Sequence, residues 1–268
     1  MNVSLESLPS ERTPKGPWLI ATLLVLLGVV VFNTPWNQAW LLQVHGANRG
    51  PDVLWSFLTQ FGEGGAAFLL LIVAAQFAPG ATALVLKSFL LGSLLSPMLK
   101  SWLAVTRPLG VLDASLLQTI GTPPNSANAM PSGHAMTIAA AITLALYMTR
   151  HAKFRQPLWL GLVLWGVLVA VSRVVVGAHW PADVLVGSGV GIMVALLALA
   201  WEQRVPWSPR LQTKPLQMLL MLVEMGLVIY LFRAQTDTEA ARLAFDLIAT
   251  VGIAGAMNRW IRLRRAVP

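Results

Sequence analysis

Cysteine is absent from the 268-residue sequence, and charged residues make up only 11% of it. Without cysteine the chain can form neither a disulfide bond nor a thiolate metal site. Soluble domains carry about 25% charged residues, so this chain has too little charge to cover a water-exposed surface. Its apolar residues, 56% of the total, must therefore face lipid or one another.

Long apolar runs account for most of the sequence. About 20 apolar residues are enough for a helix to cross a membrane, and we predict eight such spans. Their approximate bounds are 18–32, 56–77, 81–105, 132–147, 158–176, 181–201, 216–232 and 241–257. We expect residues 33–54, which include several tryptophans, to lie at the membrane interface. The predicted fold class is all-α, a polytopic transmembrane helix bundle.

Basic residues are distributed unequally between the two ends of these spans, and the basic side of a polytopic protein is normally cytoplasmic. One set of ends holds twelve: Arg12, Lys15, Arg150, Lys153, Arg155, Arg204, Arg210, Lys214, Arg259, Arg262, Arg264 and Arg265. The other holds four: Arg49, Arg107, Arg233 and Arg242. We therefore expect both termini in the cytoplasm. The net charge of +8 reflects this topology rather than nucleic-acid binding.

Polar and ionisable residues near membrane spans are costly and are usually functional. Here they form three short motifs. The motifs are Lys100 with Arg107-Pro108, then Pro131-Ser132-Gly133-His134, then Ser172-Arg173 with His179 and Asp183. Counting spans places all three at the end of the bundle that faces away from the basic loops.

The residue types in these motifs suit a phosphate group, which carries negative charge on several oxygens at once. Lys100, Arg107 and Arg173 supply fixed positive charges, and an arginine offers a planar fork of donors. Ser132 and Gly133 can present backbone N–H groups at the start of a helix, where the helix dipole also favours an anion. These features predict a phosphate-binding site.

Two histidines add a covalent route to this site. One can attack phosphorus while the other protonates the leaving oxygen. Asp183 lies four residues after His179, and residues at this spacing share one face of a helix. A carboxylate in that position can fix the imidazole tautomer and stabilise its positive charge.

The motifs Lys-x6-Arg-Pro, Pro-Ser-Gly-His and Ser-Arg-x5-His-x3-Asp occur in this order over residues 100–183. Together they resemble the phosphatidic acid phosphatase type 2 superfamily, which includes bacterial lipid phosphatases, undecaprenyl-diphosphate phosphatases, glucose-6-phosphatase and vanadium haloperoxidases. The resemblance implies a core of six helical spans and no metal or cofactor. It implies that His179 is the nucleophile, Asp183 orients it and His134 is the general acid. The phosphate-binding residues would be Lys100, Arg107, Ser132, Gly133 and Arg173.

These observations divide the chain into three expected regions. Residues 1–17 form a cytoplasmic tail, residues 18–202 a membrane phosphatase core, and residues 203–268 a loop, two additional spans and a basic tail. We expect a histidine-dependent, metal-independent hydrolase of a lipid phosphate or diphosphate, facing the periplasm from a bacterial inner membrane. Undecaprenyl diphosphate is the first candidate substrate. Phosphatidic acid, phosphatidylglycerol phosphate and lipid A phosphates remain open, as does the oligomeric state.

Three other functions fit parts of the pattern. A lipid-to-lipid phosphotransferase would use the same chemistry with a different acceptor. A transporter is compatible with eight spans, although the charges cluster at one end rather than at the midplane. A vanadium-dependent oxidase would use the same anion site, but the chain is far more apolar than those soluble enzymes.

Several ionisable residues outside the motifs are assigned structural roles. We expect Glu63, in the second span towards its outer end, to pair or pack, with the lining of the substrate entrance as the alternative. Glu224 and Asp246 are expected to pair with Arg242 or other polar groups or to mark a dimer contact. His45 is expected to be exposed to solvent.

Overall fold

The structure is a computed structural model, and it describes residues 15–47, 50–78, 80–113, 115–117, 119–121 and 128–265. Within these ranges the chain is helical and contains no β-strand. The helices are α1 Lys15–Phe32, α2 Trp36–Ala47, α3 Asp52–Thr59, α4 Gly64–Ala74, α5 Ala81–Leu103, α6 Gly133–Met148, α7 Arg155–Val175, α8 Pro181–Arg204, α9 Ser208–Leu211, α10 Lys214–Arg233 and α11 Glu239–Arg265. Short 3-10 turns occupy Gln60–Gly62, Ala75–Phe77 and Pro108–Gly110.

Among the described residues, six helices are long and apolar enough to cross a membrane: α1, α5, α7, α8, α10 and α11. Two consecutive segments, Asp52–Gly62 and Gly64–Phe77, pass the same test only as a pair, and they are bent by 64° relative to each other, so they count as a seventh span when the pair is taken as one. Helix α6 is apolar but only 16 residues long. Each of the eight predicted spans coincides with a helix or helix pair, but six of them, or seven with the bent pair, are long and apolar enough to cross a membrane, and α6 is not. The prediction of a polytopic all-α bundle is confirmed.

The second predicted span is broken rather than continuous, and Glu63 lies at the break. Its backbone is extended (φ −64°, ψ 138°), and its side-chain Oε2 accepts a hydrogen bond of 2.7 Å from the backbone N–H of Ala66. A carboxylate in this N-cap position satisfies one of the free N–H groups at a helix start. Glu63 therefore begins α4. It lies among Gly62, Gly64 and Gly65, in a stretch that hydropathy alone predicts to be one continuous span.

Small residues allow α6 and α8 to pack closely. A Cβ atom on Gly187 would lie 2.6 Å from the carbonyl oxygen of Ser132, and one on Gly191 would lie 2.1 Å from the carbonyl oxygen of Met136. Only glycine permits so close an approach between membrane helices. As a result the start of α8 meets the start of α6, and the backbone N–H of Ser132 donates to the carbonyl of Asp183 at 3.0 Å.

The two C-terminal spans, α10 and α11, pack against each other and against α3 and α4. A buried ion pair joins them, because Arg259 donates to both carboxylate oxygens of Glu224, at 2.7 Å and 3.1 Å. Gln76, at the end of the α4 segment, donates to the same carboxylate at 3.0 Å. The partner of Glu224 is thus Arg259, whereas Asp246 pairs with Arg242, as predicted.

Helix α2 lies outside the long spans, as expected for residues 33–54. The prediction that its histidine is exposed is wrong. His45 is buried, and its Nδ1 lies 2.7 Å from the carbonyl oxygen of Val175 at the end of α7. Since a carbonyl only accepts, Nδ1 carries the proton. The burial follows from the packing of α2 against α7, a contact between distant segments that the sequence does not indicate.

Candidate active site

His179 lies in the short connection between α7 and α8, and it is buried. Its Nδ1 is 3.2 Å from Oδ2 of Asp183, and its Nε2 is 3.2 Å from Nη1 of Arg107. A guanidinium can only donate, so Nε2 must accept and must hold a lone pair. The proton of the imidazole is therefore on Nδ1, where it is donated to the carboxyl group of Asp183.

Asp183 sits in the first turn of α8, which begins with Pro181. Its Oδ2 also accepts the backbone N–H of Trp180 at 2.9 Å, a capping bond that fixes the carboxyl group at the helix start. The other oxygen, Oδ1, is buried and has no partner among the described residues. The carboxyl group is thus held by the backbone on one side and by His179 on the other.

Arg107 reaches the same point from the connection between α5 and α6. The backbone of this connection is tied to neighbouring segments, since Trp180 Nε1 donates to the carbonyl of Thr106 at 2.8 Å. Nη1 of Arg107 donates to the carbonyl of Ala178 at 2.8 Å in addition to its contact with His179. Its Nε is buried without a partner in the described part of the chain.

Lys100 and Arg173 bring two further cations from the last turns of α5 and α7. Nζ of Lys100 donates to the carbonyl of Asn128 at 3.0 Å. Nη1 of Arg173 donates to the hydroxyl of Thr59 at 2.5 Å. The Nε of Arg173, like that of Arg107, is buried and has no partner among the residues described. A bound oxyanion would satisfy both of these nitrogens.

Ser132, Gly133 and His134 form the start of α6. Ser132 is the N-cap residue, fully buried, and its Oγ accepts the N–H of Ala135 at 3.4 Å. His134 follows in the first turn, where Gly62 lies so close that a Cβ on it would be 3.0 Å from Cβ of His134. The start of a helix presents free N–H groups and a positive dipole end, which adds to the attraction for an anion.

Burial and nearby positive charge affect the protonation of this site. Burial lowers the pKa of His179 well below its ordinary value, and the positive charges of Arg173, Arg107 and Lys100 lower it further. Burial also lowers the pKa of Arg107, and this shift is partly opposed by Asp183. His179 is therefore neutral at pH 7, which is the form that a nucleophile requires.

The eight residues predicted from the sequence lie at the ends of α5 and α7, at the starts of α6 and α8 and in the connections between these helices, within hydrogen-bonding or electrostatic range of one another. They are Lys100, Arg107, Ser132, Gly133, His134, Arg173, His179 and Asp183. The sequence did not indicate the role of Thr59, which bonds Arg173 from the first half of the broken span. Thr59 belongs to none of the three motifs. It lies 114 residues from Arg173 in the sequence, so no local spacing indicates that the two residues are in contact.

A cavity of about 300 Å³ opens beside His134 between α4, α5 and α6. It extends along these helices, so it runs from the polar end of the bundle into the apolar part. Small and apolar side chains line it, among them Gly62, Ala67, Gly92, Thr137, Ala140 and Leu144. Of the eight predicted site residues, Gly133 and His134 line this cavity, so it adjoins the site at the start of α6. Its volume is within the range typical for ligand pockets.

Residues 81–207 match the family model described as the PAP2 superfamily, which is the phosphatidic acid phosphatase type 2 superfamily. All three motifs lie inside the matched region. This part of the chain is a PAP2 superfamily domain.

Curated relatives match over part of their length. An undecaprenyl-diphosphatase of Sulfolobus acidocaldarius is 31% identical over 120 residues, which cover 44% of this chain and 54% of the relative. A phosphatidylglycerophosphatase B of Bacillus subtilis is 29% identical over 117 residues, covering 42% and 53%. Mouse sphingosine-1-phosphate phosphatase 1 is 36% identical over 76 residues, covering 27% and 17%. The chain thus spans about half of the first two relatives and less of the third.

Two solved structures share the PAP2 fold with this chain. A transmembrane PAP2-type phosphatidylglycerolphosphate phosphatase from Bacillus subtilis superposes with a TM-score of 0.52 at 22% identity, covering 71% of this chain and 98% of that one. LpxE of Aquifex aeolicus gives a TM-score of 0.52 at 22% identity, covering 63% and 97%. The fold similarity therefore includes nearly all of both neighbours and leaves more than a quarter of this chain outside it.

Proposed function

We propose that this PAP2 protein is an integral membrane phosphatase that hydrolyses a lipid phosphate or diphosphate through a phosphohistidine intermediate. The observation that carries the proposal is the tautomer of His179. Its Nε2 holds a lone pair among the cations of Arg107, Arg173 and Lys100, and its Nδ1 proton is donated to Asp183. This is the arrangement that nucleophilic attack on a bound phosphate needs.

In the first step Nε2 of His179 attacks phosphorus, and the bond from phosphorus to the leaving oxygen breaks. His134 gives its proton to that oxygen, so the product leaves as an alcohol or a monophosphate. Asp183 stabilises the positive charge that develops on the imidazole of His179. Arg107 and Arg173 hold the phosphate oxygens, whose charge spreads over several atoms in the transition state.

In the second step water attacks the phosphohistidine. His134, now neutral, accepts a proton from that water, and the bond between phosphorus and Nε2 breaks. Inorganic phosphate leaves, and both histidines return to their starting protonation states. The same residue thus acts first as an acid and then as a base, so the cycle needs no metal ion.

A lipid substrate is favoured by the cavity beside His134. A phosphate bound at the cations would place its apolar chain towards α4, α5 and α6, where the lining is mostly apolar and contains no Asp, Glu, Lys or Arg side chain. A soluble phosphate ester would gain nothing from such a channel. Undecaprenyl diphosphate remains our first candidate, and the similarity to an undecaprenyl-diphosphatase supports it. The similarity to phosphatidylglycerophosphatase B supports phosphatidylglycerol phosphate as the second.

The basic loops support an outward-facing site. The ends of the helices that bear the three motifs are opposite the ends that carry most of the Lys and Arg residues. Under the positive-inside rule the phosphate site faces the periplasm of a bacterial inner membrane, and both termini lie in the cytoplasm. The region 18–202 would then form the catalytic core, with α10 and α11 added to it.

Phosphate release by the purified protein in detergent, with chelator present, tests the proposal. Substrates would be undecaprenyl diphosphate, phosphatidylglycerol phosphate, phosphatidic acid and farnesyl diphosphate. His179→Ala should abolish release, whereas His151→Ala, which alters an exposed histidine, should not. Release that survives in His179→Ala would rule out the histidine mechanism.

Two other outcomes lead to different functions. A phosphorylated lipid acceptor in place of free phosphate would identify a phosphotransferase. Transport of substrate across liposomes at full rate by His179→Ala would identify a transporter.

A further inference from the structure

Thr59 is a buried residue that contacts the phosphate site from outside the PAP2 domain. Its hydroxyl accepts a hydrogen bond of 2.5 Å from Nη1 of Arg173, and only 6% of its surface is exposed. It is the last residue of α3, just before the turn that breaks the second span. The PAP2 match begins at residue 81, so the family's motifs do not include this threonine.

The contact leaves Arg173 ready for an anion. Within the described residues Thr59 is the one hydrogen-bond partner of the guanidinium, and it occupies Nη1. The Nε atom is buried and unpartnered. An arginine side chain has several rotatable bonds, and fixing it in advance reduces the entropy lost when it binds. The single hydrogen bond at Nη1 therefore orients the guanidinium group of Arg173 and leaves its other N–H donors for phosphate oxygens.

Helix α3 is itself held on two sides. On one side, two of its residues pack against the end of α7, just after Arg173. The residues in this cluster are Trp55 and Leu58 from α3 and Val175 and Val176 from the end of α7. On the other side α3 packs against α11, which lies beyond the PAP2 match. The hydroxyl of Ser56, in α3, is also hydrogen-bonded to the hydroxyl of Thr238, the residue just before α11. The C-terminal helix thus supports the segment that carries Thr59.

A second link connects α10 to the same region. The hydroxyl of Tyr230 donates to Oε1 of Glu63 at 3.3 Å, and Glu63 caps α4 with its other oxygen. The segment from Thr59 to Glu63 therefore lies between the site and the C-terminal pair of helices. Gly62, in the middle of it, lies against His134.

We propose that Thr59 is a positioning residue for the phosphate site, that it orients the guanidinium of Arg173, and that α10 and α11 hold it in place. The inference rests on the phosphatase function proposed above. It gives the two C-terminal spans a role in catalysis: they brace the broken second span against α7.

The test compares Thr59→Val with Thr59→Ser by steady-state kinetics and by vanadate inhibition, since vanadate occupies the site as a phosphate mimic. Valine keeps the shape and removes the acceptor, so kcat/KM should fall about tenfold to a hundredfold, as expected for a lost hydrogen bond to a charged group. The inhibition constant of vanadate should rise in parallel. Serine restores the acceptor and should return both values to near those of the wild type.

Two controls separate positioning from a general loss of structure. Thr143→Val removes a hydroxyl that bonds only its own helix, at the carbonyl of Ala139, and it should change neither constant. A purely structural role for Thr59 would lower the folded fraction in Thr59→Val and leave KM and vanadate inhibition unchanged. Adding Thr59→Val to Arg173→Gln should cause no further loss, because the two residues act as one unit.

The outcomes also distinguish the positioning role of Thr59 from the proposed phosphatase function. Wild-type kinetics in Thr59→Val, together with an inactive His179→Ala, would overturn the positioning role and leave the phosphatase intact. A full additional loss when Thr59→Val is added to Arg173→Gln would overturn it as well. An active His179→Ala would instead overturn the proposed function.

A second variant applies if Thr59→Val does not fold. Ser56→Ala breaks only the contact to Thr238 and should give a smaller shift of the same constants. Unchanged constants in Ser56→Ala would contradict the support of α3 by the C-terminal helices.

Discussion

The Nδ1 atom of His179 lies 3.2 Å from Oδ2 of Asp183, four residues further along the chain. The same oxygen accepts the backbone N–H of Trp180, so the carboxyl group cannot turn away without breaking a helix cap. This pair fixes which imidazole nitrogen is free. The other nitrogen, Nε2, meets Arg107, and a phosphate bound to that arginine would lie directly in its path.

Asp183→Asn should therefore reduce kcat strongly with little effect on KM. The amide can donate to Nδ1 and so favour the tautomer with its lone pair on the wrong nitrogen. In a comparable triad the loss of rate is about 10⁴-fold, and we expect a reduction on the order of 10³-fold or more. Steady-state kinetics with a fixed lipid phosphate check this. The control is Asp246→Asn, a half-exposed carboxylate paired with Arg242, which should leave kcat unchanged.

The pH dependence of kcat/KM should show that His179 remains neutral in mild acid. Burial lowers the pKa of His179, and the positive charges of Arg173, Arg107 and Lys100 lower it further. The acid limb of the profile should therefore lie below the ordinary pKa of histidine, about 6.5. Removing one cation raises that pKa, so Arg107→Gln should move the acid limb to higher pH. Both proteins are compared on one substrate, so that titration of the substrate cancels. Identical acid limbs would contradict the electrostatic account.

The same shift has a consequence for stability. Below about pH 6.5 the unfolded chain binds a proton at His179 that the folded protein does not, so the free energy of unfolding falls as the pH is lowered. His179→Gln removes this contribution. Thermal unfolding in detergent between pH 7.5 and pH 5 should show a shallower decrease in Tm for the variant. An equal decrease in both proteins would mean that other groups dominate acid unfolding.

The buried pair of Glu224 and Arg259 should contribute to stability rather than catalysis. Replacing one partner leaves an unpaired buried charge, which costs about 3–5 kcal/mol, so Arg259→Met should lower the Tm of the protein. Glu224→Leu combined with Arg259→Met should recover much of that loss. The comparison is Asp246→Asn at the half-exposed pair with Arg242, for which an effect of about 1 kcal/mol or less is expected. A double variant as unstable as the single one would argue against the pair acting as a unit.

Filling the cavity between α4, α5 and α6 should discriminate between substrates by tail length. A Cβ on Gly92 meets only the end of Met136, at 3.7 Å, so Gly92→Phe can be accommodated with its ring in the cavity. We expect kcat/KM for a long-chain lipid phosphate to fall by about tenfold, the effect of losing roughly 1.4 kcal/mol of apolar contact, while a short soluble phosphate is unaffected. Gly161→Phe, on an exposed face of α7 with open space around it, is the control. Equal losses for both substrates would show that the cavity does not hold the tail.

Much of this site could be predicted from the sequence because its chemistry lies in short motifs. His179 and Asp183 are four residues apart, and Ser132 to His134 are consecutive, so local spacing was sufficient. Lys100 and Arg107 lie in a third motif. Hydropathy also indicates that all three motifs lie at one end of the bundle, because each motif adjoins the end of a span and the spans between the motifs can be counted.

The features that could not be predicted depend on contacts between distant segments. Thr59 and Arg173 are far apart in sequence, and nothing about a threonine in an apolar span indicates an arginine partner. The bend at Glu63 follows from a helix cap whose geometry appears only once α4 is formed. The burial of His45 could not be predicted for the same reason, because it depends on how α2 packs against α7.

The most direct test of the account is to trap the covalent intermediate. The protein would be mixed with a lipid diphosphate labelled at its terminal phosphate, quenched in base within one turnover, and digested for mass spectrometry. The account predicts an acid-labile, base-stable phosphate on the imidazole of His179, absent from the His179→Ala variant. A label on another residue, or rapid turnover by a protein that carries no label at any time, would contradict it.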